Sequence, residues 1–489
     1  MLSASLKKIP YFSLISWIGQ KQNIGLWLVG GYLRDIYLRP KKELVDFDFC
    51  VEKNTASIAR EFARRISAKF IILDKTEKSF RVVLKRGEKI YSYDFTRMRG
   101  KDLKEDLALR DFSINTLAFS LLAKPAKLID YFQGRLDLRR KLVKVVRDEV
   151  IVQDPLRILR GFSFVANYDF RIAAGTLNLF SKHKGLIKSV SKERVNEELF
   201  KILNASNSYK TIIAMDKLKI IDEFIPEIKR MRGLHQGAYH HLGVWKHSLE
   251  TLRQFELLCR RRLLNNKDIT AYFNDQLAEG RKRVQIIKLA CLLHDIGKPQ
   301  AKKRLKKRTI FHTHEKIGRD LSGQIADKLR LSLREKDILK KLIFWHLRPG
   351  YLADQINPTR RAIYRFFRDT GPEGVAVVLL SLSDWRATRG PLTNAKKRTK
   401  HEKIMMKLVG EYFKDKKKRP LIGIVDGHAI MKKFKIPASP LVGKILKKIK
   451  EEQALGKIST KLEAYKLARK IIGKTAFNPT SHPGGVNKC

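Results

Sequence analysis

The sequence predicts a multidomain α+β protein, with a head of mixed sheet and helices at the N-terminus and helical segments from there to the end. Residues 25 to 135 alternate strand-like runs (LWLVG, DFDFCVE, KFIILD, FRVVLKR, KIYSYDF) with helix-like stretches such as TASIAREFARRI. From about residue 136 onward amphipathic helical patterns take over, among them DPLRILRGFSFVANY, SKERVNEELFKIL and VQIIKLACLLHDI. At 489 residues the chain also exceeds what one core usually holds.

Each part has a boundary signal. Polar or charged breaks near 227 to 240, 298 to 310 and 388 to 402 read as joints. They divide the chain into a head (1–135), a helical neck (136–230), a body (231–390), a basic helical tail (391–475) and a Pro- and Gly-rich flexible end (476–489). The segment ARKIIGKT has the outline of a phosphate loop, but Ala468 stands where the first glycine must be, so that reading is discarded.

Lys and Arg number 103 against 49 acidic residues, a formal charge of +54. The excess runs along the whole chain, which points to a polyanion and first of all to nucleic acid; a membrane surface or a generally cationic proteome would also account for it. Cys50, Cys259, Cys291 and Cys489 are far apart and form no CxxC pair, as expected of bystanders in a reducing compartment. The N-terminal MLSASLKKIPYFSLISWIGQ lacks the sustained apolar run of a signal peptide, and no later stretch reaches bilayer-spanning length, so a cytoplasmic protein without a membrane partner is expected.

The most informative stretch is LWLVGGYLRDIYLRPKKELVDFDFCVE. A strand ends in Gly30 and Gly31 and a helix begins at once, bringing bare backbone to the positive end of a helix dipole, where phosphate is welcome. Asp46 and Asp48 lie two apart on a strand and share a face, while Phe47 and Phe49 point the other way. Paired carboxylates repel unless a cation lies between them, and Mg²⁺ held by carboxylates and substrate phosphates suits the pattern. In a two-metal scheme such a pair serves attack by a 3′ hydroxyl and departure of pyrophosphate. Asp94, at the end of YSYDF, reads equally as a third carboxylate or as a cap for the following turn.

GGYLRD followed by DFDF resembles the first signature of the class II CCA-adding tRNA nucleotidyltransferase and bacterial poly(A) polymerase family, within the polymerase β superfamily. The resemblance implies a polymerase β-like head that binds nucleotide through Gly30, Gly31, Arg34 and Asp35, with Asp46 and Asp48 as catalytic metal ligands. EDLALRDFSINTLAF is similar to the family's EDLxRRDFTINALA and places Arg110, Asp111 and Asn115 at the ribose and triphosphate; Leu109 replaces the first of two arginines. IDYFQGRLDL resembles the DPFGG element through Asp130 and Gly134.

QDPLRILR resembles the family's EDxxRxxR motif through Asp154, Arg157 and Arg160, with Gln153 in place of glutamate. Asp154 and Arg157, three apart on a helix, would share a face. There a carboxylate can accept from an exocyclic amine while a guanidinium donates to a ring acceptor, which selects cytosine and adenine over uracil and guanine. The spacing also fits an ordinary helical ion pair; its place behind the head motifs favours base reading. SKERVNEELFKIL resembles the ERVxxEL helix, where Ser191 reads as a cap and Glu193 with Arg194 as support for the fold.

Residues 240 to 390 contain HHLGVWKHSLE, LACLLHDIGKP, FHTHEKIG, IFWHLRP and SLSDWRA. The pair His294 and Asp295 before IGKP resembles the HD phosphohydrolase superfamily, which implies His247, His294, Asp295 and Asp384 as metal ligands, with His314 and His346 available to a second ion. Imidazole with carboxylate suits a transition metal such as Mn²⁺, Ni²⁺ or Co²⁺ better than Mg²⁺. The tail, VDGHAIMKKFKIPASPLVGKILKKIKEEQALGKISTKLEAYKLAR, resembles the family's C-terminal segment. Its Lys444, Lys447, Lys448 and Lys450, with the runs AKKRTKHEK and KDKKKRP before it, suggest contacts to the backbone of a folded RNA.

The resemblance implies template-independent addition of CCA, or part of it, to the 3′ end of tRNA from CTP and ATP. Only a short MRGKDLK stretch separates the third head strand from EDLALRD, and loss of a longer loop there is associated with members that add only CC. Poly(A) polymerase and a protein that is chiefly an HD phosphohydrolase are the other readings. The oligomeric state is not legible.

Overall fold

The computed structural model describes residues 6–38, 45–123, 127–237, 240–263, 265–278, 280–305, 308–355, 358–390, 394–416 and 422–476. Two compact units emerge. The first comprises Met1–Lys229 with Lys328–Arg330, and the second Arg230–Asp327 with Leu331–Cys489. Residues 1–5 and 477–489, including Cys489 and nearly all of the expected flexible end, lie outside the described residues, as do 417–420 of the KDKKKRP run.

The first unit is built on a seven-stranded sheet in the order β3-β4-β5-β2-β1-β6-β7. All five expected strand runs form: β1 (Leu26–Val29), β2 (Asp46–Val51), β3 (Lys69–Asp74), β4 (Ser79–Arg86) and β5 (Lys89–Arg97). β6 (Ala118–Ser120) and β7 (Leu128–Ile129) escaped the sequence reading because they are too short to show a period. β2 and β5 run parallel, with Phe47 opposite Tyr93, Asp48 opposite Asp94 and Phe49 opposite Phe95. One face of this pair is therefore aromatic and buried. Phe47 lies 5.0 Å from Tyr93 and Phe49 stacks at 5.1 Å on Phe95, centroid to centroid. The helix Thr55–Arg65 covers them, its Ile58, Ala59, Phe62 and Ala63 on one stripe, with Phe62 edge-on to Tyr93 at 5.0 Å. Burying each such side chain contributes about 1.5–3 kcal/mol.

Helices Leu156–Tyr168, Ala174–His183, Lys192–Asn204 and Ser208–Lys217 follow. The expected Asp130 and Gly134 form a local joint: the Asp130 carboxylate accepts from the amides of Gly134 (2.7 Å) and Arg135 (3.0 Å), which opens the helix Gly134–Arg139. A Cβ on Gly134 would run into the carbonyl oxygen of Ser113, in the turn that carries Asn115.

The neck and the second unit are predominantly helical, as expected, with three short strand pairs among the helices. A two-stranded parallel pair, Leu142–Val143 with Arg171–Ile172, sits in the neck, and two short hairpins, Gln276–Ala278 with Arg281–Lys282 and Lys303–Leu305 with Arg308–Ile310, in the body. These strands pair across two or three residues, too few to carry an alternation. The tail packs a small core around Ile430, Ile445, Ile449, Ala464 and Ala468. Ala468, at the rejected phosphate-loop position, is one of these buried helix residues. Helix Arg360–Thr370 meets helix Pro440–Ala454 through a charge network: Glu451 accepts from Arg365 at 2.8 and 2.9 Å, and Glu452 from Arg361 at 2.6 and 2.8 Å.

Two predictions follow from this packing. Gly134→Ala should cost about 1–3 kcal/mol by overpacking, read as a lower denaturant midpoint for the first unit. The second concerns acid. The Arg365 guanidinium and Lys448 hold Glu451 down to about 2 from its ordinary 4.5. A carboxyl depressed in the folded state stabilises fully above its unfolded value and loses that contribution as pH falls toward the folded one. The wild type should therefore lose stability between 4.5 and about 2, and Glu451→Gln should flatten that part of the curve.

Candidate functional site

In the first unit the strand period places the carboxylates. Asp46 and Asp48 are exposed while Phe47 and Phe49 are each 1% exposed. Asp94 stands level with Asp48 on the adjacent strand and receives both arms of Arg81 from β4 at 2.7 Å. It caps no turn; it is a third carboxylate in the row, already paired. Depth in the recess, with the charges of Asp94 and Asp46, raises the Asp48 pKa against the pull of Arg110. An Asp48 carboxyl that resists ionisation in this way is suited to a cation.

Beside this row opens a cavity of about 660 Å³, within the range of small-ligand sites. Gly30 forms its floor with φ +73°, and a Cβ there would come within 2.9 Å of an Arg110 Nη1 and 3.5 Å of an Asp48 Oδ2. The backbone conformation requires glycine, and a side chain here would push the Arg110 guanidinium aside. Gly31 opens the helix Gly31–Leu38 and has ordinary space around it. Arg34, Arg99, Arg110, Arg157 and Arg160 line the walls, a fivefold positive setting for a polyphosphate.

Acids behind these arginines aim them. Buried Asp106 accepts from the Arg99 amide (3.0 Å) and lies 3.6 Å from Arg110. Asp111 pairs with Arg160 at 2.8 Å and accepts from Asn115 Nδ2 at 2.7 Å; Asn115 Oδ1 in turn accepts from Arg34 at 2.7 Å. Although burial opposes ionisation of Asp111, Arg160, Asn115 and the Phe112 amide outweigh it and lower its pKa. Asp35 holds Arg34 Nε at 2.7 Å and, like Asp46, stands outside the cavity lining.

Asp154 and Arg157 both line the cavity, but they do not share one helix face. Asp154 is extended (φ −141°, ψ 92°) after the helix Glu149–Gln153, and the helix Leu156–Tyr168 starts beyond Pro155. Proline disfavours helical backbone in the residue before it, so the tetrad is a break between helices. Arg194 binds Asp154 at 2.9 Å. Sequence reasoning assigned no role to Arg99, Asp106 or Arg81; Asp106 stood inside the quoted EDLALRD, and Arg99 in the short MRGKDLK stretch.

The second unit brings six predicted residues together. His247 lies on Val244–Leu258, His294 and Asp295 end Arg283–Leu293, His314 begins His314–Lys328, His346 ends Leu333–Trp345, and Asp384 lies on Gly374–Ala387. His247, His294 and Asp384 form one group with ligand atoms within 4.8 Å of one another, and Asp295, His314 and His346 form another. Nδ1 of His294, His314 and His346 each bonds the backbone carbonyl three residues earlier, of Cys291 (3.0 Å), Phe311 (2.8 Å) and Ile343 (2.6 Å). Those bonds make Nδ1 the protonated nitrogen and leave three buried Nε2 lone pairs without a hydrogen-bond partner. The donor set fits a metal ion.

Burial and the neighbouring imidazoles press His346 down to about 3, which keeps it neutral and able to ligate. Asp295 and Asp384 outweigh burial at His294 and raise it. Two residues join that the sequence reading did not name: Lys298 donates to Asp295 at 2.7 Å, and the His240 ring meets His247 edge-on at 4.8 Å. Gly297 is required because a Cβ would strike the His314 carbonyl.

The first unit thus has the build of a nucleotidyltransferase head and the second that of a metal-centred HD domain. Residues 26–144 match the Poly A polymerase head domain, 169–231 the segment described as the probable RNA and SrmB-binding site of polymerase A, and 244–385 the HD domain. Over 447 residues the chain is 28% identical to an A-adding tRNA nucleotidyltransferase of Deinococcus radiodurans, covering 90% of this chain and 94% of that protein. It is 29% identical over 450 residues to a CC-adding tRNA nucleotidyltransferase of Thermus thermophilus, covering 89% and 91%. In structure it resembles a Thermotoga maritima CCA-adding enzyme complexed with tRNA, with a TM-score of 0.65 at 20% identity over 97% of this chain and 98% of that one. The chain thus joins segments that match a Poly A polymerase head domain and an HD domain, and over about nine-tenths of its length it is similar to tRNA nucleotidyltransferases. Among the described residues no helix is long and apolar enough to cross a membrane.

The histidine geometry makes a direct prediction. Metal-stripped protein should take up Ni²⁺ or Mn²⁺ reversibly, measured by equilibrium dialysis and elemental analysis, and His294→Ala should reduce uptake by at least about tenfold. Equal uptake by both proteins would rule out this cluster as the metal centre.

Proposed function

We propose that this chain is a template-independent nucleotidyltransferase that adds CCA, or part of it, to the 3′ end of tRNA from CTP and ATP, releasing pyrophosphate. The observation that carries the proposal is the carboxylate row of Asp46 and Asp48 beside a cavity lined by five arginines. Asp46 and Asp48 would hold Mg²⁺, which would supply Lewis-acid activation for a 3′ hydroxyl and charge neutralisation for pyrophosphate.

The chain's own groups do the positioning. Arg110 and Arg99, both anchored on Asp106, take the triphosphate over the bare backbone of Gly30 and Gly31. Asp35, Arg34, Asn115 and Asp111 form a bonded chain that fixes the ribose end of the nucleotide. Asp154, steadied by Arg194, accepts from the exocyclic amine of cytosine or adenine, and Arg157 donates to the neighbouring ring acceptor. Arg160, tied to Asp111, closes that end. Uracil and guanine would present donors where Arg157 needs an acceptor.

A second reading, addition of CC alone, is favoured by the stretch between β5 and the helix Leu103–Ala108. It spans only Met98–Asp102 and is pinned by Asp102, Glu105 and Asp106, which accept from Glu105, Lys101 and Arg99 amides. In the second unit, His247, His294, Asp295 and Asp384 are assigned to a transition metal for phosphoester hydrolysis, with His314 and His346 open to a second ion. The expected bounds of head, neck, body and tail, and a cytoplasmic location, complete the proposal.

Extension of tRNA transcripts ending at the discriminator base, at C and at CC, with CTP, ATP or both and Mg²⁺, tests it. Full CCA establishes the complete enzyme, a halt at CC the specialist, and an open-ended A tail a poly(A) polymerase. Asp46→Ala and Asp48→Ala should each lower incorporation by at least about a hundredfold. No incorporation on any substrate would overturn the proposal.

A further inference from the structure

Asp384 lies in the last turn of the helix Gly374–Ala387. Its carboxylate stands 2.8 Å from His247 Nε2 and 3.8 Å from His294 Nε2, so its aim decides whether the three groups can share one ion. Helix ends fray unless something holds the last turn. Thr388 ties this end from within the chain, its amide and its hydroxyl each donating to the Asp384 carbonyl at 3.1 Å.

The two residues after Asp384 are gripped by two consecutive residues of another helix. Trp385 stacks on His401 with centroids 4.2 Å apart and planes 16° from parallel, and Arg386 donates both arms to Glu402, at 2.6 and 3.2 Å. His401 and Glu402 belong to the helix Ala395–Lys416, which buries His401, Met405, Leu408 and Val409 along one stripe and leaves Lys400, Lys403 and Lys407 exposed. His401 is 3% exposed, and neither of its ring nitrogens nor Nε1 of Trp385 makes a hydrogen bond, so one ring face against the other sets this contact. The same imidazole reaches the helix Arg348–Asp354, which follows His346: a Cβ on Gly350 would lie 3.9 Å from its Nε2. One side chain of the tail thus meets the segments just beyond two of the clustered residues.

Successive residues of a helix point about 100° apart, so holding Trp385 and Arg386 leaves Asp384 a single direction. The stacked plate resists tilting of the last turn, and the two-armed ion pair resists its rotation and lengthwise slip. We propose that His401 and Glu402 are positioning residues of the metal centre: from outside the segment 244–385 that matches the HD domain, they hold the Asp384 carboxylate where it completes the ligand group with His247 and His294. The inference rests on the metal-centre reading of that group. Partners that orient a ligand in this way change metal affinity by about ten- to a hundredfold.

The test is a mutant cycle on the full chain. Co²⁺ is titrated into metal-stripped protein and followed by calorimetry and by visible absorption, whose bands report the coordination of the ion. Every chain carries Asp46→Ala and Asp48→Ala, so that the head carboxylates take none. His401→Ala and Glu402→Ala should each weaken Co²⁺ binding by about tenfold and shift the bands, whereas His401→Phe, which keeps a ring on Trp385, should stay within about twofold of the parent. With Asp384→Ala already present, neither alanine change should cost more than about twofold, because no carboxylate is left to aim. Glu402 is half-buried, so its variant folds even if His401→Ala does not. Alanine variants that bind Co²⁺ as the parent does, a phenylalanine variant that loses as much as alanine, or losses that are the same with and without Asp384 would overturn the positioning role, while Co²⁺ uptake by the parent left the metal centre intact. A parent that takes up no Co²⁺ would overturn both.

Discussion

The parallel register between β2 and β5 is the constraint on which the first unit depends. It sets Asp48 level with Asp94 on one face and Phe47 and Phe49 level with Tyr93 and Phe95 on the other. A slip of β2 by one residue would exchange its two faces, burying Asp46 and Asp48 and exposing Phe47 and Phe49. Several kcal/mol of aromatic burial therefore oppose any register but the one that presents the acids. The cost of gathering like charges is met by packing on the reverse of the same strands.

The arginine walls show the same logic with the signs inverted. Five guanidinium groups around one cavity would repel one another and scatter if left to solvent. Here buried Asp106 and Asp111 take charges from behind: Arg99 and Arg110 lean on the first, Arg160 on the second, and Asn115 passes the second's influence to Arg34. A buried carboxylate is costly alone but well used when it anchors cations whose outward arms remain available. The cavity is thereby organised before any ligand arrives, so less ordering remains to be done on binding. In the second unit the backbone plays the anchoring part, since three carbonyls fix three imidazole tautomers and aim their Nε2 atoms inward.

What the sequence disclosed depended on whether the signal was local. β1 to β5 were legible from alternation, and Asp46 with Asp48 from strand period. The six HD-type residues were legible only through their resemblance to the HD superfamily, and the fold brings them into two groups. β6 and β7 were hidden by brevity, and the Asp94–Arg81 pair by a β4–β5 register that only the fold reveals. Arg99 and Asp106 acquire meaning only when a turn and a helix meet at the cavity. The misreading of Asp154 is different in kind, since its corrective lay in the next position. Pro155 makes a continuous helix through Asp154 unfavourable, and periodicity was given more weight than that local prohibition.

The charge of +54 follows the same division between anchored and free groups. Within the tail contact, Glu451 and Glu452 are engaged by Arg361, Arg365, Arg368 and Lys448, so Lys448 serves the fold more than a partner. Lys444, Lys447 and Lys450, on the same helix, stay exposed. At this contact the acidic side chains join two helices, while Lys444, Lys447 and Lys450 remain on the surface. An excess arranged in this way repels itself and is most comfortable beside a polyanion, whose condensed counterions are released as the lysines approach. Folding and the proposed RNA binding would then draw on one pool of cations: the few acids decide which are held back for structure, and the remainder would set the attraction for an RNA.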